Sequence, residues 1–499
     1  LPETNFRSVF SRSMKLDFLE EPELEFGRHG RHVDIRQGLK MYGPLDTADD
    51  DVRRIRIGIV GTQQTIDGLR RWLERCATGV EAKKSRQPNL FPDFPGFGDH
   101  SPFQASFEID DASCRVIPSR ELREISNYAH YGALIRGVEL LTSEVRALSE
   151  EIRPAVVLVA LPPELVGLDD DEDDSEEAKV KEAPRGEKEE LAYGTDLDLH
   201  HMLKAAAMKF GQPIQIVLPT TYDPTARAKT NKLDGQRKLQ DEATRAWNLH
   251  IALYYKANYR PWRIVRNPND LKTCFVGINF YRSLDKVNLM TSMAQVYDER
   301  GEGVIVRGKP VALKKDDPIP HLSSEDAFTL IVHALTEYRR EHKHSPARLV
   351  LHKSSNFSAD ELSGFNRAVE DQRLDTADFL VVEKSFTRLF REGSYPPLRG
   401  TLLSLDDRNH VLYTKGSVPY YSTFPGMYVP RSLRFKIAQG DESPRKLAEE
   451  ILALTKLNWN NTQFDGGEPI TMRVARQVGK VLKYVATDGV VQPKYSFYM

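Results

Sequence analysis

Residues 272–308 decide how the second half of this chain folds. They contain KTCFVGINFYR (272–282), MTSMAQVY (290–297) and GVIVRG (303–308). Each is short, rich in β-branched or aromatic residues, and separated from the next by polar or Gly-containing text. Three such runs in succession predict an antiparallel meander. A helical period follows over 324–341, then a strand at 348–352 (RLVLH), a helix near 359–370 and a strand at 378–382 (DFLVV). Further strands are expected near 400–415 and 431–437, before two helices at 444–456 and 470–484.

Three antiparallel strands followed by alternating β and α elements is the order of a ribonuclease H-like domain. Upstream the pattern differs. Ile55 to Val60 (IRIGIV), Ala155 to Leu161 (AVVLVAL) and 213–218 (PIQIVL) are buried-strand runs. Helical segments alternate with them: IDGLRRWLERC, YGALIRGVELLTSEVRALSEEI, 198–210 (DLHHMLKAAAMKF) and 237–256 (RKLQDEATRAWNLHIALYYK). Short apolar strands alternating with helices predict a parallel, Rossmann-like layer across about 50–260. The Gly58-Ile-Val-Gly61 text does not complete a dinucleotide fingerprint, so a tight strand–helix turn explains it. The first 50 residues read as irregular and turn-rich.

Composition sets the class. The chain has 499 residues, 40% hydrophobic and 28% charged, with no run near the ~18 apolar residues of a spanning helix. The N-terminal text lacks a secretory h-region, and three scattered cysteines form no CxxC. A reducing cytoplasm without disulfides is the expectation. The net charge of −2 hides an asymmetry. Residues 169–190 carry 12 acidic and 4 basic residues, a net of −8, which leaves the rest at +6. That acidic block is expected to be a disordered loop (168–192). A mildly basic folded part permits a nucleic-acid partner without demanding one.

Several blocks resemble a known family. They are LEEPELEFG with GLKMYGPLD, FPGF at 94–97, PIQIV at 213–217, ALYYKANYRPWRI at 252–264, CFVGINF at 274–280, and ILALTKLNWNNTQFDGGEPITMRVARQVGKVL at 451–482. In this order the sequence resembles the short prokaryotic Argonautes, which consist of a MID and a PIWI domain. The resemblance implies an α/β chain with an N-terminal docking segment (1–50), a Rossmann-like MID domain (51–265) and a ribonuclease H-like PIWI domain (266–499).

It also implies two sites. His200 and Lys204, at i and i+4, share a helix face, and Gln215 and Lys256 complete the family's pocket for a guide 5′-phosphate. His201 would point about 100° away. Four residues before Lys256 the family often has one more basic or amide residue, whereas this chain has Ala252. Tyr255 and Tyr259 flank Lys256 and are candidates for base stacking; Trp247 and Trp262 are more simply core. The carboxylate of Met499 is the expected ligand for a Mg²⁺ shared with the guide phosphates.

The second site is defined by what replaces its acids. A slicing PIWI domain holds two Mg²⁺ with three or four acidic or His residues. Here the corresponding positions are Asn279, Ser354 and Arg476, with only Glu299 or Glu302 near the family's mobile glutamate. The implication is a chain without nuclease activity. It would bind a small guide RNA and complementary single-stranded DNA, and activate a separate APAZ-containing effector. That effector would be TIR or sirtuin-like and NAD-consuming, or a nuclease, in antiviral abortive defence, and target binding could assemble a higher oligomer. The competing readings are a guide-directed endonuclease with an altered tetrad and, from the Rossmann-like half alone, a nucleotide-binding enzyme.

Overall fold

The computed structural model describes residues 14–47, 52–168, 197–226, 230–231, 235–236, 239–265, 267–284, 289–297, 303–311, 319–393, 396–426, 429–463, 466–486 and 488–499. The acidic block, Glu299 and Glu302 lie outside them. After β1 (Lys15–Phe18) and α1 (Ile35–Tyr42), the first half contains β2 (Arg53–Gly61), α2 (Gln63–Ala77), β3 (Ala105–Glu108), α3 (His130–Glu151), β4 (Val156–Ala160), α4 (Leu199–Ala207), β5 (Ile214–Val217) and α5 (Glu242–Lys256). The sheet order is β3-β2-β4-β5, with every one of these pairings parallel.

Parallel strands must be covered on both faces, which explains their unbroken apolar text. Every residue of β4 is buried. On one face Ile57, Ile59 and Leu158 meet Ile66, Leu69 and Leu73 of α2; on the other, Val60, Val157 and Val159 meet Leu141, Val145 and Leu148 of α3. The helix starts are set by side chains that satisfy open N–H groups. Thr62 accepts from Thr65 N, Asp198 from His201 N, and Asp241 from Thr244 N. Asp241 explains why α5 begins at Glu242, later than the expected 237.

The second half comprises β6 (Thr273–Arg282), β7 (Leu289–Tyr297), β8 (Gly303–Val311), α6 (Ser324–His342), β9 (Arg348–Lys353), α7 (Ala359–Asp371), β10 (Thr376–Lys384), β11 (Thr401–Ser404), β12 (Asn409–Leu412), β13 (Leu433–Gln439), α8 (Pro444–Leu454) and α9 (Ile470–Leu482). The sheet order is β1-β11-β12-β13-β10-β9-β6-β7-β8. The meander β6-β7-β8 is antiparallel, whereas β6, β9 and β10 run parallel. Their C-terminal ends therefore open at one edge.

Helices α6 and α7 bury one face of this sheet against Cys274, Val276 and Ile278. Helix α9 covers the other and approaches very closely. A Cβ at Gly277 would stand 2.2 Å from the Thr471 carbonyl oxygen, so only glycine admits the start of α9.

The N-terminal segment departs from its irregular reading. Strand β1 pairs antiparallel with β11, so it extends the second sheet, while Leu24, Phe26, Ile35 and Leu39 enter the core of the first half. Glu21 accepts from Arg399 at 2.8 Å and lies 3.1 Å from Lys456. Burial alone would raise the Glu21 carboxyl, but the two cations outweigh it and hold it below the usual range. The described part of the segment, residues 14–47, docks onto the chain itself. Short elements with long-range partners carry little local period, which is why the text looked irregular.

Candidate functional site

One cluster gathers where α4, β5, α5, α9 and the last residues meet. Lys204 and Lys256 are only 6% and 3% exposed. The Lys256 ammonium donates to the Ile214 carbonyl at 2.7 Å and to the Met499 main-chain oxygen at 2.8 Å. Lys204 donates to the Tyr498 carbonyl at 3.3 Å. Burial, and then the charge of Lys204, push the Lys256 ammonium well below the usual lysine range. His200 is likewise pushed well down, first by burial and then by Lys204, His201, Lys256 and Lys480. Each group disfavours protonation of its neighbours, a state that an anion relieves.

Strand alternation turns Ile214 and Ile216 toward α3 and α4, and Gln215 toward the α5 side. Its Nε2 donates to the Ile216 carbonyl at 3.0 Å, whereas its buried Oε1 accepts no hydrogen bond. His201 turns away: its Nδ1 lies 2.9 Å from Asp198 Oδ1, at the helix cap. Ala252 is buried and supplies no polar group. The structure thus brings His200, Lys204 and Lys256 together, with Gln215 on the adjoining strand.

Lys480 was missed because it belongs to the other half. Yet α9 carries Arg473, Arg476 and Lys480, with Lys483 at its C-cap, at i, i+3, i+7 and i+10, a basic stripe legible as helical spacing. The charge of Lys480 is felt at His200 and that of Lys483 at Asp198. The stripe leads from the lysine cluster toward the sheet edge.

The candidate aromatics have partners inside the molecule. Tyr255 stacks on Trp459 at 4.6 Å with an interplanar angle of 4°, and Tyr259 packs on Tyr254 at 5.1 Å. One face of each ring is therefore taken. Trp247 and Trp262 are core residues, their indole N–H groups donating to the Asp93 and Lys456 carbonyls. Tyr495, Phe497, Tyr498 and Met499 are buried as well.

At the sheet edge, Ile278 pairs with Lys353, so Asn279 and Ser354 are the next neighbours along β6 and beyond β9. Asn279 donates to the Phe280 carbonyl at 3.2 Å, Ser354 is exposed, and Arg476 of α9 is paired with Glu468. A polar cavity of about 310 Å³ opens at Ser354, lined also by Asn356, Glu383, Arg434 and Lys436 among others. Among the described residues no group of three or more His, Cys, Asp or Glu could hold a metal ion. An amide, a hydroxyl and a guanidinium provide no anionic ligand. Among the described residues, too, no helix is long and apolar enough to cross a membrane.

No family model and no curated protein matches this chain. Solved structures do. Clostridium butyricum Argonaute bound to a guide DNA and a 19-mer target DNA aligns with a TM-score of 0.66 at 15% identity, covering 97% of this chain and 55% of that one. Drosophila Piwi gives 0.58 at 14%, covering 97% and 56%. Marinitoga piezophila Argonaute in complex with a 5′ OH guide RNA gives 0.54 at 10%, covering 97% and 59%. The chain thus spans little more than half the length of each. At these identities the likeness establishes the fold: the MID–PIWI architecture, a parallel α/β domain joined to a ribonuclease H-like domain.

Proposed function

We propose that this chain is the guide-binding sensor of a prokaryotic defence system. It anchors the 5′-phosphate of a small guide RNA at Lys204, Lys256, His200 and Gln215, and holds complementary single-stranded DNA along the ribonuclease H-like sheet without cutting it. The observation that carries this reading is the burial of two lysines whose charges oppose one another. Interring like charges is costly, and a phosphate that accepts from both converts the repulsion into charge-assisted hydrogen bonds. The likeness in fold to an Argonaute holding guide and target DNA supports a nucleic acid as the bearer of that phosphate.

Mg²⁺ fits the same pocket. Gln215 Oε1, buried and accepting nothing, and the Met499 oxygen are the hard ligands such an ion prefers. Bound there with the guide phosphates, it would neutralise part of their charge. Asn279, Ser354 and Arg476 favour binding over cleavage, since two-metal hydrolysis needs carboxylates. Output then falls to a partner, an APAZ-containing effector with an NAD-consuming or nuclease domain, switched on by target recognition.

The test is loading. Purified chain should retain 5′-phosphorylated guides far more tightly than 5′-hydroxyl ones, and co-expression with the effector should give a complex that consumes NAD or degrades DNA only with guide and target. Equal retention of both guides would sink the pocket; cleavage of the target opposite the guide by this chain alone would sink the sensor.

A further inference from the structure

The segment that follows β10 has an unusual surface. Phe386 is 81% exposed and Phe390 84% exposed, with Arg388 exposed between them. This outward set is tied from behind by hydrogen bonds. Ser385 N donates to the Ser432 carbonyl at 2.9 Å, Ser432 Oγ to the Thr387 carbonyl at 3.1 Å, and Leu389 N to Tyr413 Oη at 2.7 Å. Residues 385, 387 and 389 are thus anchored and 386, 388 and 390 project. An extended chain rises about 3.3 Å per residue, so the outward side chains recur roughly every 6–7 Å.

Charge fixes the kind of occupant. Residues 383–392 and 431–436 together hold six basic and two acidic side chains. The Arg431 guanidinium lies 5.8 Å from the Phe386 ring centroid, and Arg434 and Lys436 line the neighbouring cavity. A protein-docking patch would join its apolar residues into one area, whereas here an arginine separates the two rings. Aromatic rings spaced by cations match a single strand, whose bases stack while its phosphates pair. The row also leaves β10 at the same sheet edge as Asn279 and Ser354.

The geometry points to Phe386, Arg388 and Phe390 as a stacking row for unpaired nucleotides of a single-stranded nucleic acid, read without sequence preference. The row itself stands on this loop; that the strand is a guide's target rests on the function proposed above.

The experiment uses the full chain, with and without a 5′-phosphorylated guide, and fluorescent single-stranded DNA as probe. One probe is complementary to the guide with a 3′ and 5′ overhang; the other is oligothymidylate without guide. F386A/F390A should weaken both by about tenfold or more, F386L/F390L should weaken them equally, and F386W/F390W should retain wild-type affinity. Guide retention and thermal melting should not change, since both rings face solvent. Unchanged DNA affinity in the Ala pair overturns the proposal, as does full affinity in the Leu pair. So does an Ala pair that loses only a protein partner, which would make the row a protein-docking surface. A wild-type chain that ignores the 5′-phosphate would refute the guide pocket, whereas the oligothymidylate arm would still judge the row.

Discussion

Lys256 in the first half and Lys353 in the second are buried equally well, on opposite terms. Lys353 has the Glu361 carboxylate at 2.6 and 2.7 Å, and that carboxylate also accepts from Leu322 N and Ser358 N. Nearby, Arg348 is paired with both Asp378 and Glu450. Lys256 instead has the Ile214 carbonyl, the Met499 main-chain oxygen and, nearby, a second lysine. Around the ribonuclease H-like sheet each of these buried cations is neutralised by the chain's own carboxylates and serves architecture. Where the two halves meet, positive charge is instead concentrated, with Lys204, His201, Lys256 and Lys480 all felt at His200. Burial of charge alone marks neither a site nor a scaffold; the identity of the neighbour separates them.

The comparison can be broken most forcefully by removing the like charges. Lys204→Met with Lys256→Met should lose two charge-assisted contacts of about 1.5–3 kcal/mol each, weakening 5′-phosphorylated guide by on the order of a hundredfold or more. Because repulsion is relieved, unfolding free energy without guide should change by no more than about 1–2 kcal/mol. Filter binding and urea denaturation measure the two. A large loss of stability with intact loading would make these lysines scaffold.

The paired site should respond in the reverse sense. Lys353→Met strands a buried carboxylate and should cost about 3–5 kcal/mol in urea denaturation, whereas Lys353→Met with Glu361→Leu should recover most of it. Guide affinity of the folded variants should stay level.

Protonation offers a gentler test. His200 and Lys256 are depressed in the free pocket, and a bound anion raises both again. Guide binding should therefore take up protons, with affinity increasing as pH falls and being lost as pH rises through the bound-state values. Calorimetry in two buffers of different ionisation enthalpy should give different apparent binding enthalpies. Identical enthalpies would mean that no group in the pocket changes its protonation.

The smallest expected effect is none. Asn279→Asp should not produce target cleavage with guide and Mg²⁺ or Mn²⁺, because Ser354 and Arg476 still provide no ligand for a second ion. Measurable slicing would show that carboxylates elsewhere complete the site.

Much of this molecule was written locally. The short apolar runs and helical spacings foretold the parallel layer, the meander and the helices that cover them, since burial on one or both faces leaves its trace in the text of any single element. The pairing of His200 with Lys204 on one helix face was legible for the same reason. What local text could not carry was juxtaposition. The contribution of Lys480, the seating of Tyr498 and Met499 against two lysines, the stacking of Tyr255 on Trp459, and the threading of residues 15–42 through both halves all join positions hundreds of residues apart. Those contacts depend on how α9 crosses the sheet at Gly277 and reaches α4. Periodicity fixes which face a residue occupies; only the packing of one element on another decides what that face meets.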